Sequence, residues 1–236
     1  RGQGDYLTRH GFGYSVFTHR ESGIDSELTV FVAEEAPVKL AILTLSNNSG
    51  RTRKLSVTGY VEWTLGESRI RSAPHIVTHA ASIPGGCGVM ANNFYGDNGG
   101  ERTAFFAVSG NDCSLTGDRR EFIGRNGSLR SPSTMKLRRL SGKTGAGLDP
   151  CGAVQAAATF IDGDQRTFIF VLGAADNHAQ AQEILTRYLN EDAARLELNR
   201  VHHYWRHVLD KIVVNTPDTS VNLLVNGWLL YQTVAC

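Results

Sequence analysis

The chain has 236 residues, of which 41% are hydrophobic and 20% are charged, and 24 lysines and arginines nearly balance 23 aspartates and glutamates. A chain of this length can bury roughly 70% of the surface that its unfolded form exposes, which excludes disorder and a coiled coil. The formal net charge of +1 argues against a dedicated nucleic-acid-binding protein, which needs clustered lysines and arginines to contact phosphates.

Apolar residues alternate with polar ones between residue 11 and about residue 65, which predicts β-strands. Val57, Val61 and Trp63 fall on one face of a predicted strand, and Thr58 and Glu62 fall on the other. Turn-forming residues separate the predicted strands at positions 47–50, 84–86, 97–100 and 162–164. About ten strands without helices among them indicate a mainly β, antiparallel sandwich, because parallel strands would need helical crossovers.

One of these turns lies between two apolar runs, residues 156–161 and residues 167–172. Its residues, Asp162, Gly163 and Asp164, favour a tight reversal of the chain. We therefore predict that the two runs pair with each other as a β-hairpin.

Residues 110–150 interrupt the alternation and contain a basic segment. Between positions 118 and 143, only Asp118 and Glu121 oppose eight basic residues: Arg119, Arg120, Arg125, Arg130, Lys136, Arg138, Arg139 and Lys143. Glycine, serine and proline are frequent here, which predicts a long loop, and ordered loops of this length are often functional. Arginines bind planar anions and donate hydrogen bonds to sugar hydroxyls, so the segment is either a ligand site or a solvated loop without a ligand.

After residue 173 the apolar period changes from 2 to 3.6, which predicts helices. Asp176 or Asn177 can cap a first helix, and Asn190 can cap a second helix that ends near Ile212. One stripe of the second helix is apolar: Ala194, Leu198, Val201, Trp205, Val208 and Ile212. A third helix can begin at Thr216-Pro217-Asp218, and it is apolar on nearly every side, as is typical of a helix inside a larger helical assembly.

Carboxylates, histidines and cysteines give no complete catalytic or metal-binding pattern. Glycosidic-bond chemistry needs two carboxylates roughly 5–10 Å apart, and most candidates fall at strand ends or in turns, where solvation explains them. These candidates are Glu34, Glu35, Glu62, Asp149, Asp162 and Asp164. The pairs His75/His79 and His203/His207 lack a third ligand, so we predict no metal site and no cofactor.

The four cysteines are widely spaced and contain no CxxC pair, which favours buried or idle thiols in a reducing compartment. No uninterrupted apolar run reaches the roughly 18 residues that a spanning helix needs, so we expect a soluble piece. The chain begins without methionine and stops within an apolar segment, which suggests a fragment of a larger protein.

Four stretches resemble one enzyme family. They are RHGFGY at residues 9–14, LSVTGYVEWTLG at 55–66, DRREFIGRNG at 118–127 and NGWLLYQT at 226–233. In this order they are similar to the C-terminal part of bacterial cyclic β-1,2-glucan synthases, and to the cellobiose and chitobiose phosphorylases of glycoside hydrolase family 94. The resemblance covers essentially the whole chain.

The resemblance implies a fold and a division of the chain. Residues 1–173 would form an antiparallel super-β-sandwich of the galactose mutarotase-like type, residues 174–215 a helical linker, and residues 216–236 the first helix of an (α/α)6 barrel. The catalytic aspartate of the family lies in a motif resembling GFRDQLQD, which this sequence lacks. We therefore expect no catalytic residue here and no activity from this chain alone.

The resemblance also implies a role in β-glucan synthesis and chain-length control, with Arg119, Arg120, Arg125 and Asn126 carried over as candidate sugar contacts. The expected partners are β-glucan, the barrel and a second copy in a homodimer, but not nucleic acid. The parent protein would lie on the cytoplasmic side of the bacterial inner membrane, contacting it only through other domains. The alternatives are a non-catalytic carbohydrate-binding module, a purely structural spacer, and an anion-binding module that uses residues 118–143.

Overall fold

The computed structural model describes residues 4–95 and 100–235, in which eleven strands form two antiparallel sheets. In chain order the strands are β1 (Tyr6–Gly11), β2 (Tyr14–Glu21), β3 (Ile24–Val32), β4 (Val38–Asn47), β5 (Arg53–Glu62), β6 (Ile76–Ile83), β7 (Gly86–Asn93), β8 (Thr103–Ser109), β9 (Cys113–Asp118), β10 (Pro150–Phe160) and β11 (Gln165–Ala175). Most of the turn predicted at residues 97–100 lies outside the described residues, as does Cys236. The predicted mainly β, antiparallel class is confirmed.

The larger sheet has eight strands in the order β1-β2-β3-β4-β11-β8-β7-β6, and the smaller sheet has three in the order β5-β10-β9. The strand β11 therefore joins two meanders of the larger sheet, β1 to β4 and β6 to β8. Its register pairs Phe170 with both Ala41 of β4 and Val108 of β8.

The predicted hairpin at residues 156–172 is wrong. The strands β10 and β11 belong to different sheets, because β10 pairs with β5 and β9 whereas β11 pairs with β4 and β8. The turn reverses the chain as expected, but it carries the chain from one sheet to the other. Turn residues determine the reversal, whereas the burial of the two apolar strands determines their partners.

Helices occur after β11 and, briefly, between strands. In chain order they are α1 (Arg69–Ser72), α2 (Arg119–Ile123), α3 (His178–Tyr188), α4 (Glu191–Leu209), α5 (Thr219–Leu223) and α6 (Leu229–Ala235). The expectation that no helix interrupts the strands is wrong at α1 and α2, and 3-10 turns also form at Ala73–His75 and Ser133–Lys136. A π-helical turn, Leu224–Trp228, joins α5 to α6.

The two predicted helix caps between β11 and the C-terminal helices are confirmed. The Asn177 side chain accepts a hydrogen bond from Gln180 N at 2.9 Å, and the Asn190 side chain accepts one from Asp192 N at 2.8 Å. Both bonds satisfy backbone donors that a helix leaves free in its first turn. The second helix, α4, ends at Leu209, a few residues before the predicted end.

The larger sheet is the middle of three layers, with helices on one face and the smaller sheet on the other. The core against α3 and α4 contains Leu40, Ile42, Phe105, Ile169, Val171, Leu185, Tyr188 and Val201. The core between the sheets contains Val57, Trp63, Val89, Phe106, Val154, Phe160, Phe168 and Phe170. Because both faces of its central strands are covered, β8 is buried at six of its seven positions rather than at alternate ones.

A buried asparagine connects the ends of the two sheets. Asn47, the last residue of β4, is fully buried. Its Nδ2 lies 3.2 Å from the carbonyl oxygen of Phe160, 3.0 Å from that of Ile161 and 2.8 Å from that of Arg51. Its Oδ1 accepts a hydrogen bond from the Ser49 hydroxyl at 2.6 Å. One side chain thus satisfies backbone groups at the end of β10 and in the turn after β4.

The cysteines differ from the sequence expectation at two positions. Cys87 of β7 and Cys113 of β9 form a disulfide between the two sheets, so these two residues are not idle thiols. Cys151 is fully buried and carries a free thiol, as expected. Burial raises the pKa of the Cys151 thiol to about 12.

The C-terminal helical segment, α5 to α6, contacts the sandwich at one place and exposes apolar residues elsewhere. Tyr231 packs on Phe12 of the β1–β2 turn and on Trp205 of α4, with ring centroids 5.4 Å and 4.7 Å apart. The exposed apolar residues of the C-terminal helical segment are Val221, Leu223, Leu224, Trp228, Leu229 and Val234. Whether this segment is the first helix of a barrel stays a prediction. Within residues 4–95 and 100–235, no helix is long and apolar enough to cross a membrane.

We expect the exposed apolar face of the C-terminal helical segment to cause self-association, and Leu223→Glu to reduce it. Leu223 is 76% exposed, so a charge there costs little in folding while it disrupts an apolar contact between chains. Gln232→Glu is the matched control, because it adds the same charge at an exposed polar position. Sedimentation velocity should show less dimer for Leu223→Glu only, and equal dimer fractions in both variants would contradict the prediction.

Candidate functional site

Four charged side chains at one end of the smaller sheet form an arginine–carboxylate cluster: Glu62, Arg69, Arg119 and Asp149. Glu62 ends β5, Arg69 begins α1, and Arg119 begins α2. Arg119 Nε donates to Glu62 Oε1 at 2.8 Å, and its Nη1 lies 3.4 Å from Asp149 Oδ2. Arg69 donates to the other oxygen of each carboxylate. The two positive and two negative charges of the cluster cancel. Its ion pairs hold the starts of α1 and α2 against the end of β5 and the residue before β10.

Tyr60 extends the cluster toward the small core beneath α2. Its hydroxyl donates to Glu62 Oε1 at 2.7 Å, and its ring stacks on Phe122 of α2 at 4.6 Å. Burial and this hydrogen bond raise the pKa of Tyr60, so the phenol stays protonated and acts as a donor. Burial also opposes the charge on Glu62, but hydrogen bonds from Arg119 and Tyr60 outweigh it and lower the pKa of Glu62.

The cluster is therefore suited to positioning and not to proton transfer. A general acid for glycosidic bonds needs a carboxyl whose pKa is raised, so that it holds a proton near neutral pH. Glu62 has a lowered pKa, and two arginines bind both Glu62 and Asp149. The structure thus brings together two of the six candidate carboxylates, but in ion pairs.

The other candidate carboxylates have structural surroundings. Asp162 Oδ1 accepts a hydrogen bond from Gly50 N at 2.7 Å, and Asp164 Oδ2 accepts one from Ile161 N at 3.0 Å. Glu34 and Glu35 follow β3, and Glu35 lies 3.7 Å from Arg200 on the surface. Neither predicted histidine pair belongs to a group of three or more metal-ligating side chains, because no such group occurs within residues 4–95 and 100–235.

The helix α2 is anchored by Asp118 at its N-terminus and by Glu121 at its middle. Asp118 caps its N-terminus by accepting a hydrogen bond from Arg120 N at 3.0 Å, and it also pairs with Lys143. Glu121 accepts hydrogen bonds from the hydroxyls of Thr116 and Ser141, both at 2.6 Å. The two ends of the predicted basic loop are therefore tied to each other, and the segment between them is only partly irregular.

Residues 124–127 form a tight exposed loop directly after α2, called here the 124–127 loop. Gly124 has a φ of 93°, a left-handed conformation that favours glycine. At Gly127 an added Cβ would lie 1.9 Å from the backbone oxygen of Ile123, so a side chain there would displace the loop. These glycines hold Arg125 and Asn126 at the surface.

The four predicted sugar contacts lie in two different environments. Arg119 is half-buried and its guanidinium binds two carboxylates. Arg120, Arg125 and Asn126 are exposed, and none of their side chains bonds to another residue among those described. The donors of these three side chains are thus free for a ligand. Sequence reasoning identified them through the resemblance, but it missed the cluster, whose members are distant in sequence.

A wide aromatic groove of about 800 Å³ lies between the β1–β2 turn, α4 and the C-terminal helical segment. The aromatic rings that line it belong to His10, Phe12, Tyr14, Phe31, Tyr204, Trp205, Trp228 and Tyr231. Gly13, with a φ of 80°, lets this turn approach α4, because an added Cβ would lie 2.2 Å from Trp205 Nε1. The signals in the sequence are the stretches RHGFGY and NGWLLYQT, which marked the resemblance without a role, and Trp205 on the predicted apolar stripe.

Comparison with known proteins identifies the relatives of this chain. Residues 1–191 match the family model described as glycosyl hydrolase 94, supersandwich domain. The chain is 35% identical over 235 residues to the cyclic beta-(1,2)-glucan synthase NdvB of Rhizobium meliloti (strain 1021), covering 98% of this chain and 8% of that protein. It is 27% identical over 237 residues to the solabiose phosphorylase of Paenibacillus borealis, covering 98% of this chain and 30% of that protein.

A solved structure shows the same fold. It is assigned as a kojibiose phosphorylase from the human microbiome, and it superposes with a TM-score of 0.52 at 9% identity. The superposition covers 94% of this chain and 26% of that chain. This chain therefore spans less than a third of each of these relatives.

Proposed function

The chain belongs to the glycosyl hydrolase 94 family as its supersandwich domain, and from this premise we propose that it handles carbohydrate in the phosphorylase-like part of a cyclic β-1,2-glucan synthase. The observation that carries the proposal is the 35% identity to such a synthase along 98% of the chain. In this role the domain takes part in β-glucan synthesis and in the control of glucan chain length. Because the chain spans 8% of that relative, the activity of the whole protein is part of the proposal.

We assign the contact with β-glucan to Arg120, Arg125 and Asn126. Their exposed side chains supply guanidinium and amide donors for sugar hydroxyls, and no other described residue occupies these donors. Arg119 has a supporting role in this proposal, because its guanidinium is bound to Glu62 and Asp149 and holds the start of α2. The arginine–carboxylate cluster thus fixes the helix from which the 124–127 loop extends.

The proposed partners are β-glucan, a helical barrel that packs on the exposed apolar face of the C-terminal helical segment, and a second copy in a homodimer. We further propose that the parent protein acts on the cytoplasmic side of the inner membrane and contacts it through other domains. The charge balance supports the absence of nucleic acid from this set.

Calorimetric titration with linear β-1,2-glucans tests the contact residues. We expect Arg125→Ala to weaken the affinity about 10-fold or more, since a hydrogen bond from a charged group contributes about 1.5–3 kcal/mol. Arg130→Ala is the matched control, because Arg130 is an exposed arginine of the same basic segment outside the 124–127 loop. Its affinity should stay within about twofold of the unsubstituted chain.

Three outcomes separate this function from its alternatives. Equal losses in the two variants would remove the 124–127 loop from the site. No measurable binding of glucan by the unsubstituted chain would favour a structural spacer. Binding of any polyanion with a steep dependence on salt concentration would favour the anion-binding module.

A further inference from the structure

The disulfide is placed where it joins the two sheets. Cys87 lies in β7 of the larger sheet, and Cys113 is the first residue of β9, an edge strand of the smaller sheet. Their Cα atoms are 6.1 Å apart, within the range of roughly 4.4–6.8 Å that a disulfide spans without backbone movement. They are separated by 26 positions in sequence, so the bond closes a loop that includes all of β8.

This sulfur pair is open to small molecules. Both cysteines are only partly buried and line a cavity of about 380 Å³ together with Ala80, Ser114, Leu115, Arg139, Leu140, Ser141 and Gly142. Cys151, by contrast, is fully buried. A reagent in solution can therefore reach the pair in the folded chain, whereas it cannot reach Cys151 without local opening.

A cation lies next to the pair. Arg139 Nη2 donates to the carbonyl oxygen of Cys113 at 2.6 Å, and the same guanidinium pairs with Asp112. The guanidinium therefore lines the approach to the pair and fixes the backbone at Cys113. Access through this cavity thus favours exchange at the pair.

The strand β9 connects this bond, along the chain, to α2 and the 124–127 loop. Five of its residues pair with β10, and on its other side it has no strand neighbour among the described residues. It ends at Asp118, which caps α2. A short edge strand frays from its ends unless they are tied down, and the disulfide ties its first residue to β7.

We propose that Cys87 and Cys113 are a reversible thiol–disulfide site that fixes β9, and with it α2 and the 124–127 loop, to the larger sheet. In the oxidising direction the Cys113 thiolate attacks a small disulfide such as oxidised glutathione, which forms a mixed disulfide and releases one glutathione thiolate. The Cys87 thiolate then attacks the Cys113 sulfur of the mixed disulfide and releases the second glutathione thiolate. Two electrons pass from the cysteine pair to glutathione, and the two protons end on its thiols.

Mass spectrometry and thermal unfolding of the whole chain test the proposal. After exposure to oxidised glutathione, the peptides that contain Cys87 and Cys113 should be linked and lighter by two hydrogen atoms. The reductant dithiothreitol should then lower the Tm by on the order of 5–10 °C and speed tryptic cleavage within residues 119–143. Cys87→Ser should remove this dependence on reductant.

Cys151→Ala is the matched control, because it removes a thiol that reagents cannot reach and should keep the full reductant-dependent shift.

Two results would overturn the proposal. One is alkylation of both Cys87 and Cys113 by iodoacetamide after treatment with oxidised glutathione. The other is the same reductant-dependent shift in Cys87→Ser and in the unsubstituted chain. Neither result depends on glucan binding, so the proposed function stands or fails separately.

Discussion

Replacing Asn47 with alanine should lower the free energy of unfolding by about 3 kcal/mol, since it removes every hydrogen bond of a fully buried polar side chain, including the buried bond to the Phe160 carbonyl oxygen. The carbonyl oxygens of Arg51 and Ile161 keep second donors, Ser49 Oγ and Asp164 N. The Phe160 carbonyl oxygen loses its bond to the Asn47 amide, and the backbone N of Ser49 loses its bond to Asn47 Oδ1. Chemical denaturation with urea at neutral pH measures the change. A loss of this size would show that the polar bridge between the two sheets matters as much as a large core side chain.

Asn48→Ala is the matched control for this substitution. Asn48 is the next residue and is exposed, and its side chain donates one hydrogen bond to Asp25 Oδ2 at 2.8 Å. Because water can replace that bond, we expect a change of about 0.5 kcal/mol or less. If the two variants unfold at the same urea concentration, the carbonyl groups around Asn47 have found water and the bridge is dispensable.

Glu62→Ala should be the second largest effect, with a loss of about 2 kcal/mol in the free energy of unfolding. The substitution leaves Arg69 and Arg119 facing each other with Asp149 as their only shared carboxylate, and it removes the acceptor of Tyr60. The value lies below that for a fully buried pair, because the Glu62 side chain is 31% exposed and solvent screens part of the attraction.

The same carboxylate should make stability depend on pH in the acid range. The pKa of Glu62 is lowered in the folded chain from its ordinary value of 4.5, chiefly through hydrogen bonds that outweigh burial. Its contribution is therefore complete above that ordinary value and is lost as the pH falls through the lower, folded-state pKa. Urea unfolding at several pH values should show a shallower acid loss in Glu62→Ala than in the unsubstituted chain.

Glu67→Ala is the control for both measurements. Glu67 pairs with Arg71 on the surface, and its side chain is 85% exposed, so neither stability nor its acid dependence should change noticeably. A Glu62 variant that behaves like the Glu67 variant would mean that the arginine–carboxylate cluster adds nothing to the fold.

Features that depend on neighbouring residues could be predicted from the sequence. The caps at Asn177 and Asn190 were predictable because a cap needs only one short side chain and the backbone two or three positions later. The strands of the first 65 residues were predictable because alternation is also local. Which strands pair with each other was not predictable, because strand partners are distant in sequence. The predicted hairpin of β10 with β11 was wrong for that reason.

In the candidate site, too, local features could be predicted from the sequence and contacts between distant residues could not. Arg125 and Asn126 lie in one continuous motif, so the resemblance alone could identify them. Glu62 and Asp149 are 87 positions apart, and only the folded chain shows that two arginines hold them together. The Cys87–Cys113 bond is non-local as well, since the two residues meet because the two sheets face each other.

The position of β11 in the middle of the larger sheet has a consequence for the chain while it is being made on the ribosome. The flanking strands β4 and β8 emerge first, and each keeps an unpaired edge until β11 follows. Between the synthesis of residue 109, at the end of β8, and residue 175, at the end of β11, roughly 3–13 s pass at ordinary elongation rates. During that interval one nascent chain carries two apolar half-sheets with unpaired edges, a state that is prone to aggregation until β11 joins them.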